Sequence, residues 1–351
     1  MTSLDISGQG LKLDTQADVA HLLSQLAALP DLEHINLSGN TFGVAACQAL
    51  GAALADKRRC AFLIPLPVEV LDLSDNAFGP AGANPLVPFL TQTRSLKELR
   101  LNNNGLGISG GTTIAKALID QANAYSSDSP SPLRVFVAGR NRLENGSMPL
   151  LSQAFAAHAH LEHIQMPQNG IRPEGIATLV TSLTSSATLR VLDLQDNTFT
   201  KVGAKALANA LAAWPRLEVL HLGDCLVGTK GTKLVMRALV KANVHLRKLH
   251  LGFNEMNGEA ASEVAKYVTA LGEKLELLEL NGNVFDGEGE EAEEVKEALA
   301  KWGKDEGVLD ELDEMEEPDS EAEEEEDESE AEEQQGEEEE ELLEKMEKMG
   351  I

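Results

Sequence analysis

Leucine and asparagine recur along the chain in a pattern that predicts one short strand per repeat. The pattern is L-x-x-L-x-L-x-x-N, in which some leucine positions vary, as at Phe136 and Met166. The two residues of Leu-x-Leu lie on the same face of a strand, so both enter one core while the residue between them faces outward. Nine copies occupy residues 32–40, 68–76, 96–104, 133–141, 161–169, 189–197, 217–225, 246–254 and 275–283. This regularity indicates a repeat protein.

The asparagine that ends each copy predicts a hydrogen-bonding role where the chain leaves the strand. Its amide both donates and accepts, so it can satisfy buried backbone groups there. Cys225 replaces this asparagine in one copy, and we expect the role to be weaker there because a thiol is a poor hydrogen-bonding group. An apolar residue two positions later should re-enter the core, as at Phe78, Leu106, Phe199 and Phe285.

The second half of each repeat predicts a helix. Residues 203–212 are rich in alanine and carry apolar residues at helical spacing. One strand and one helix per stacked unit give an α/β leucine-rich repeat horseshoe, a solenoid like that of ribonuclease inhibitor, with strands on the concave side. Leu4, Ile6 and Leu11 form a degenerate first unit, so we expect residues 1–25 to cap the stack.

The predicted repeat domain covers residues 1–304 and contains two irregular segments. Residues 123–132 are polar and rich in serine and proline, which is typical of a surface loop. Residues 57–67 follow no repeat template. Residues 305–351 hold 26 acidic residues and 2 lysines, and cannot bury enough apolar surface to fold, so an acidic disordered tail is expected.

Most of the net charge of −29 belongs to this tail, because residues 1–285 hold 25 acidic and 24 basic residues. A tail of this charge repels phosphate backbones, which argues against nucleic-acid binding. No apolar run is long enough for a transmembrane helix, and the first residues lack the features of a signal peptide. Three cysteines with no metal-binding spacing favour a reduced cytosolic or nuclear compartment.

A search for catalytic or metal-binding motifs gives little support for an enzyme. No phosphate-binding glycine loop and no nucleophile motif is present. His158, His160 and His163 need not converge, so we expect them to be solvated or capping residues rather than metal ligands. His221 and His250 occupy the same outward strand position in neighbouring repeats, where a surface contact is expected.

The outward strand positions and the residues before each asparagine form a polar edge. Two interpretations are open: a solvated surface, or a docking edge of the kind that repeat proteins use for function. The strand positions are Asn36, Asp72, Arg100, Val137, Gln165, Asp193, His221, His250 and Glu279. The residues before the asparagines include Asp75, Asn103, Arg140, Gln168, Asp196 and Asp224.

Several segments of this edge resemble the fungal type of the Ran GTPase-activating protein family. The resemblance covers almost the whole chain, and the acidic segment that begins near Leu309 fits it as well. The matching segments are LSDNAFGP at 73–80, NNGLG at 103–107, GRNRLENGSM at 139–148, QNGIRPEG at 168–175 and LDLQDNTFT at 192–200.

This resemblance implies a protein that binds Ran-GTP and stimulates hydrolysis by ordering Ran's own catalytic glutamine, in support of nucleocytoplasmic transport. Asn103 would hold that glutamine, since an amide bonds another amide in both directions. The resemblance also implies a monomer in the cytoplasm, including its perinuclear region. No cofactor or metal is expected on this chain, because the partner GTPase binds Mg and GTP. A Ran-binding protein is a further candidate partner. The implied partner-binding residues are Asp75, Asn76, Asn104, Arg140, Arg142, Glu144, Asn145, Gln168 and Asp196. The alternative is a protein-binding scaffold without GTPase-activating activity.

One departure from the family concerns its second repeat. There the family carries a Phe-Thr-Gly-Arg-like segment whose arginine matters for activity, and this sequence has no such segment. Compared with what the resemblance implies, the stretch between Asn40 and Asn76 is about one repeat short. Arg58 and Arg59 do not match residue by residue, so that role is not transferred to them. Two explanations are open: the chain is a truncated or mis-spliced version, or this member of the family has diverged. Residues 57–67 favour the first explanation, because they follow no repeat template.

Overall fold

The computed structural model describes residues 2–55, 67–126, 130–242, 244–304 and 306–316. In these residues, short strands alternate with helices along the chain. The strands are β1 (Thr2–Asp5), β2 (Lys12–Leu13), β3 (Leu32–Asn36), β4 (Thr41–Phe42), β5 (Val70–Asp72), β6 (Glu98–Arg100), β7 (Val135–Val137), β8 (His163–Gln165), β9 (Val191–Asp193), β10 (Val219–His221), β11 (Lys248–His250) and β12 (Leu277–Glu279). Strands β2 and β4 pair with each other, and the other ten form one parallel sheet in chain order.

Helices cover the side of the stack opposite the open face of the sheet, and successive helices pack against each other. They are α1 (Ala20–Ala28), α2 (Val44–Ala55), α3 (Gly79–Ala83), α4 (Val87–Gln92), α5 (Gly107–Ala122), α6 (Glu144–Ala157), α7 (Pro173–Leu183), α8 (Thr200–Ala210), α9 (Gly228–Ala242), α10 (Gly258–Leu271) and α11 (Glu290–Ala300). Neighbouring packed helices are spaced about 10 Å apart, whereas neighbouring paired strands are spaced about 4.8 Å apart. The stack therefore curves with its strands on the concave face, and the predicted horseshoe is confirmed.

The core runs between the two layers without interruption. Leu99 and Leu101 of one copy are fully buried, and the equivalent residues of the other copies are buried as well. The apolar residues after the asparagines, including Leu106 and Phe199, are also in the core. The inward positions predicted from Leu-x-Leu are therefore confirmed, whereas two of the predicted outward residues, Val137 and Asp193, are buried. No helix in the described part of the chain has the length and apolar character needed to cross a membrane.

A ladder of buried asparagines joins the repeats at the carboxyl edge of the sheet. Nδ2 of Asn141 donates to the backbone oxygens of Leu101 at 2.8 Å and Ala138 at 3.1 Å, and its Oδ1 accepts from the backbone N–H of Asn104 at 3.0 Å. The same bonds recur from Asn40 to Asn283. At Cys225 the thiol donates to two carbonyls in place of the amide. The predicted role of the asparagine is confirmed.

The irregular interval between Asn40 and Asn76 leaves no gap in the sheet. Strand β3 pairs directly with β5, and the backbone N–H of Asn40 donates to Oδ1 of Asn76 at 3.2 Å. The irregular segment 57–67 lies outside the described residues except for Pro67. Strands β3 and β5 are therefore neighbours, and the turns that follow them lie side by side.

The domain boundary predicted at residue 305 is too early. Residues 306–316 pack on the last repeat, where Leu309 forms a parallel bridge with Leu278. The carboxylate of Asp310 accepts the backbone N–H of Leu280 at 2.8 Å and that of Asn281 at 3.0 Å. These bonds satisfy donors at the open edge of β12, so the first acidic residues cap the sheet. The remainder of the predicted tail, residues 317–351, lies outside the described residues.

His158 is the C-cap residue of α6, as the capping alternative predicts, but its side chain lies in the core, so the prediction that it is solvated is wrong. The side chain is fully buried, with Nε2 3.0 Å from the backbone oxygen of Leu118 and Nδ1 2.7 Å from Oγ of Ser131. A carbonyl can only accept, so Nε2 carries the proton and Nδ1 accepts from the serine. Burial lowers the pKa of His158. Ser131 belongs to the predicted surface loop 123–132, and the end of that loop is therefore buried.

Candidate functional site

The carboxyl edge of the sheet carries a row of side chains that the backbone turns away from the core. The residue before each ladder position adopts a left-handed conformation, with φ of 69° at Gly39 and Gly282 and between 50° and 57° at the other positions. The non-glycine residues at these positions are Asp75, Asn103, Arg140, Gln168, Asp196, Asp224 and Phe253. Together with Arg142, Glu144 and Asn145 they are called the rim. The turn that buries each asparagine thus presents its neighbour to solvent.

Two consecutive turn positions after Asn141 hold strained residues other than glycine. Left-handed residues other than glycine cost free energy, so glycine is the usual choice. After Asn104 the chain places Gly105 and Gly107 at two such positions. After Asn141 the equivalent positions hold Arg142 (φ 54°) and Glu144 (φ 48°). Long charged side chains that persist under strain point to a function for this segment.

Asn103 is exposed and has a fixed orientation. Its Nδ2 donates to Oδ1 of Asp75 at 2.9 Å across the neighbouring repeats. A carboxylate can only accept, so the amide nitrogen faces Asp75 and Oδ1 faces away from it. Among the described residues, Oδ1 of Asn103 accepts no hydrogen bond. The side chain therefore offers a positioned acceptor at the surface.

Arg140 and Arg142 lack acidic partners within the described residues. Nε of Arg140 donates to Oε1 of Gln168 at 2.5 Å, and Arg142 is exposed without an ion pair. By contrast, arginines at the amino edge of the strands pair with glutamates of the next repeat. These pairs are Arg134–Glu162, Arg190–Glu218 and Arg247–Glu276. The two rim arginines thus present positive charge that an acidic partner could neutralise.

Asn145 and Glu144 have different environments. Asn145 is half-buried, its Nδ2 donates to Oε2 of Glu174 at 3.1 Å, and its Oδ1 accepts the backbone N–H of Arg172 at 2.8 Å. The amide of Asn145 therefore joins two repeats. Glu144 is exposed and begins α6.

Asn76 and Asn104 cannot contact a partner, and the prediction that they do is wrong. Both side chains are 0 % exposed. Nδ2 of Asn104 donates to three backbone oxygens, and its Oδ1 accepts the backbone N–H of Asn76 at 3.0 Å. Their place in the ladder fixes the turns that present Asp75 and Asn103. The role of these two asparagines is therefore to position the rim.

A shallow groove of about 320 Å³ continues the rim beyond Gln168. Asp196 and Asp224 lie along it, and Leu226 is 43 % exposed beside it. Phe253, at the next rim position, is 51 % exposed. Leu226 and Phe253 were not among the predicted site residues. Their apolar character is visible in the sequence, but only the structure shows that both side chains are exposed.

A larger cavity of about 430 Å³ lies at the amino edge of the strands. Its walls include Arg190, Glu218 and Arg247. Arg190 and Arg247 pair with glutamates of the next repeat, whereas Arg216 and Lys274, which also line the cavity, have no ion pair among the described residues. The rim combines unpaired cations with a strained backbone and an oriented amide, so it is the stronger candidate site.

The parallel sheet, the asparagine ladder and the exposed rim define a leucine-rich repeat protein. A family model described as Leucine Rich repeat matches residues 67–87, 92–115, 185–208 and 242–265. Ribonuclease inhibitor of Sus scrofa is 28% identical over 296 residues, which cover 84% of this chain and 61% of that protein.

A second group of relatives is more similar. Ran GTPase-activating protein 1 of Saccharomyces cerevisiae is 36% identical over 321 residues, which cover 80% of this chain and 78% of that protein. Ran GTPase-activating protein of Drosophila melanogaster is 36% identical over 313 residues, and the match spans about half of its length, 52%. This chain belongs to the Ran GTPase-activating protein family.

Proposed function

We propose that this chain stimulates GTP hydrolysis by the small GTPase Ran, in support of nucleocytoplasmic transport. Two lines of support are independent of each other. One is the family to which the chain belongs. The other is the rim, where an oriented amide and two unpaired arginines stand on a strained backbone. The observation that carries the proposal is the bond between Asn103 and Asp75.

In the proposed mechanism Asn103 acts on the glutamine of the partner. Asp75 holds Nδ2 of Asn103, so Oδ1 can accept from the NH₂ group of that glutamine. The glutamine oxygen is then left to accept a proton of the attacking water, and the water is oriented toward the γ-phosphate. The contribution of this chain is to restrict the motion of a group that Ran already has, which lowers the entropic part of the barrier.

Arg140 and Arg142 serve in this proposal as docking residues. An acidic surface of the partner would neutralise them, and such contacts act mainly on association and register. The bond from Arg140 to Gln168 holds that guanidinium along the rim. Asp196 lies in the groove beyond Gln168 and provides the opposite charge at that end of the docking edge.

The GTPase brings its own nucleotide and magnesium ion in this proposal, so the hydrolytic chemistry takes place on Ran. The activator then needs no cofactor and has no catalytic nucleophile of its own. We propose the cytoplasm, including its perinuclear region, as the place of action. We also propose a monomer, and a Ran-binding protein as a further partner that acts on the same complex.

A single-turnover GTPase assay with Ran·GTP tests the proposal. We expect the chain to increase the hydrolysis rate, and Asn103→Ala to reduce that increase by about a hundredfold, a loss typical of a group that acts in the transition state. Asn209→Ala is the matched control, because Asn209 is an exposed asparagine on α8, away from the rim.

Binding measured in parallel separates this function from a scaffold. Tight binding to Ran·GTP without a rate increase would contradict the activator and support a scaffold. Hydrolysis of GTP in the absence of Ran would instead indicate an enzyme. A rate increase that Asn103→Ala leaves intact would retain the activator but refute the proposed role of Asn103.

A further inference from the structure

A row of four polar side chains crosses the concave face at some distance along the stack from Asn103. The residues are Asp193, His221, His250 and Glu279, the last residues of strands β9 to β12. They are direct neighbours in the parallel register, so each Cα faces the next across paired strands. The spacing between paired strands is about 4.8 Å, which brings the side chains into contact.

The two histidines and Glu279 form a compact group. The imidazole rings of His221 and His250 stack with centroids 4.1 Å apart. Nδ1 of His250 lies 2.5 Å from Oε2 of Glu279. One possible ligand atom from each of the three residues lies within 4.8 Å of the other two. Among the described histidine, cysteine, aspartate and glutamate side chains, this is the group of three that meets this distance condition.

We propose that His221, His250 and Glu279 bind a divalent transition-metal ion, with zinc as the best match. Two imidazole nitrogens and one carboxylate oxygen are a ligand set that zinc prefers. Bonds of about 2.1 Å in a tetrahedral site place ligand atoms about 3.4 Å apart. The pair His250 Nδ1 and Glu279 Oε2, now 2.5 Å apart, would open to that distance, and rotation of the side chains would bring His221 to the same ion. The proposed ion replaces the proton between Nδ1 of His250 and Oε2 of Glu279.

The surroundings of His221 suit a ligand. Asp193 lies next to it, with Oδ1 3.5 Å from Nδ1 of His221, and a carboxylate at one ring nitrogen orients the other for metal binding. The other ring nitrogen of His221, Nε2, lies next to Gly223. A Cβ at residue 223 would be 3.2 Å from this nitrogen, so the glycine leaves it uncovered.

Three protein ligands leave a fourth coordination position for water. In zinc proteins such an open position accepts an exogenous ligand, whereas structural sites are closed by a fourth residue. The site rests on strands β10 to β12, whereas Asn103 follows β6, so this inference does not depend on the proposed activation of Ran.

Calorimetric titration of the full chain with ZnCl₂ tests the site. Excess Mg²⁺ in the buffer occupies the many carboxylates that bind cations weakly, because magnesium prefers oxygen ligands. We expect one saturable zinc site per chain. His250→Ala and Glu279→Gln should each weaken zinc binding by about tenfold or more. His160→Ala is the control, because His160 is an exposed histidine outside the row.

Cobalt provides a second readout, since Co²⁺ bound to imidazole and carboxylate in a tetrahedral site absorbs more strongly than hexaaqua Co²⁺. We expect this band in the wild type and in His160→Ala, and its loss in His250→Ala. Circular dichroism without metal checks that each variant is folded. If His250→Ala does not fold, the nearly isosteric Glu279→Gln decides the test. Absence of a one-to-one site, or equal zinc affinity in wild type and Glu279→Gln, would overturn the proposal.

Discussion

Asn103 donates a hydrogen bond from Nδ2 to Oδ1 of Asp75, 2.9 Å away in the preceding repeat. Both residues lie in the left-handed conformation immediately before a buried asparagine, with φ values of 50° and 56°. The bond is possible because paired strands place equivalent turns of successive repeats side by side. Asp75 is therefore a positioning residue for the proposed catalytic amide.

The first prediction concerns this bond. Asp75→Ala frees the Asn103 amide to rotate, so the stimulated GTPase rate should fall by about tenfold. Asp75→Asn should retain more activity, since its amide oxygen still accepts the bond. Asp224→Ala is a matched control with the same backbone conformation (φ 55°) in a distant repeat. Equal loss of activity in both alanine variants would show that strain, rather than orientation, is responsible.

The second prediction concerns the strained segment after Asn141. Arg142→Gly relieves a left-handed conformation and should raise the free energy of unfolding by about 1 kcal/mol. It also removes an unpaired cation from the rim, so affinity for Ran·GTP should decrease. Thr200→Gly relieves similar strain at φ 49° and should stabilise the fold without a loss of affinity. Denaturant melts and binding titrations measure the two effects; unchanged affinity in Arg142→Gly would refute a docking role.

The third prediction concerns the asparagine ladder. Asn141→Ala removes the acceptor of the backbone N–H groups of Asn104 and Leu106 and one of the two amide donors to the backbone oxygen of Leu101, and should cost about 3 kcal/mol of stability. Cys225→Asn supplies an amide at the one ladder position that lacks it, and we expect it to stabilise the fold by about 1 kcal/mol. Equilibrium unfolding checks both changes. A destabilised Cys225→Asn would mean that the pocket is shaped for sulfur.

The fourth prediction is a pH dependence caused by His158. Burial sets its pKa in the folded state below the ordinary value of 6.5, so the unfolded chain binds the proton more readily. The neutral, buried imidazole of His158 therefore contributes fully to the free energy of unfolding above pH 6.5. This contribution is lost as the pH falls below that value. His158→Gln cannot titrate, so the difference in stability between wild type and variant should shrink from pH 7.5 to 5.5. A constant difference would contradict this account.

The fifth prediction separates the two parts of the acidic segment. Deletion of residues 317–351 removes 19 acidic residues and 2 lysines and should slow association with Ran·GTP at low salt much more than at high salt. Deletion from residue 305 also removes Asp310 and the apolar Leu309, so it should additionally lower the melting temperature. Stopped-flow association and thermal melts distinguish the effects. An association rate unchanged at low salt would exclude steering by the tail.

Periodicity was sufficient to predict the horseshoe, because one spacing rule places both leucines of each strand in the core and the asparagine at the turn. The same rule located Asn103, Arg140 and Gln168 on one edge. It could not distinguish Asn104, which is buried, from Asn103, which is exposed, since both are polar residues in the same turn. Only the left-handed backbone at Asn103 decides which of the two faces the solvent.

Composition alone also misjudged residues whose environment depends on distant segments. Asp310 looks like the start of a solvated acidic run, yet it caps β12 because unpaired N–H groups at a sheet edge attract a carboxylate. His158 looks polar, yet it is buried between Leu118 and Ser131, which satisfy both ring nitrogens. The sequence by itself determined the repeat, the core and the edge that carries the rim, because these follow from local periodicity. The tertiary structure decided which polar groups bond each other, because those partners come from different repeats, mostly 27 to 40 residues apart.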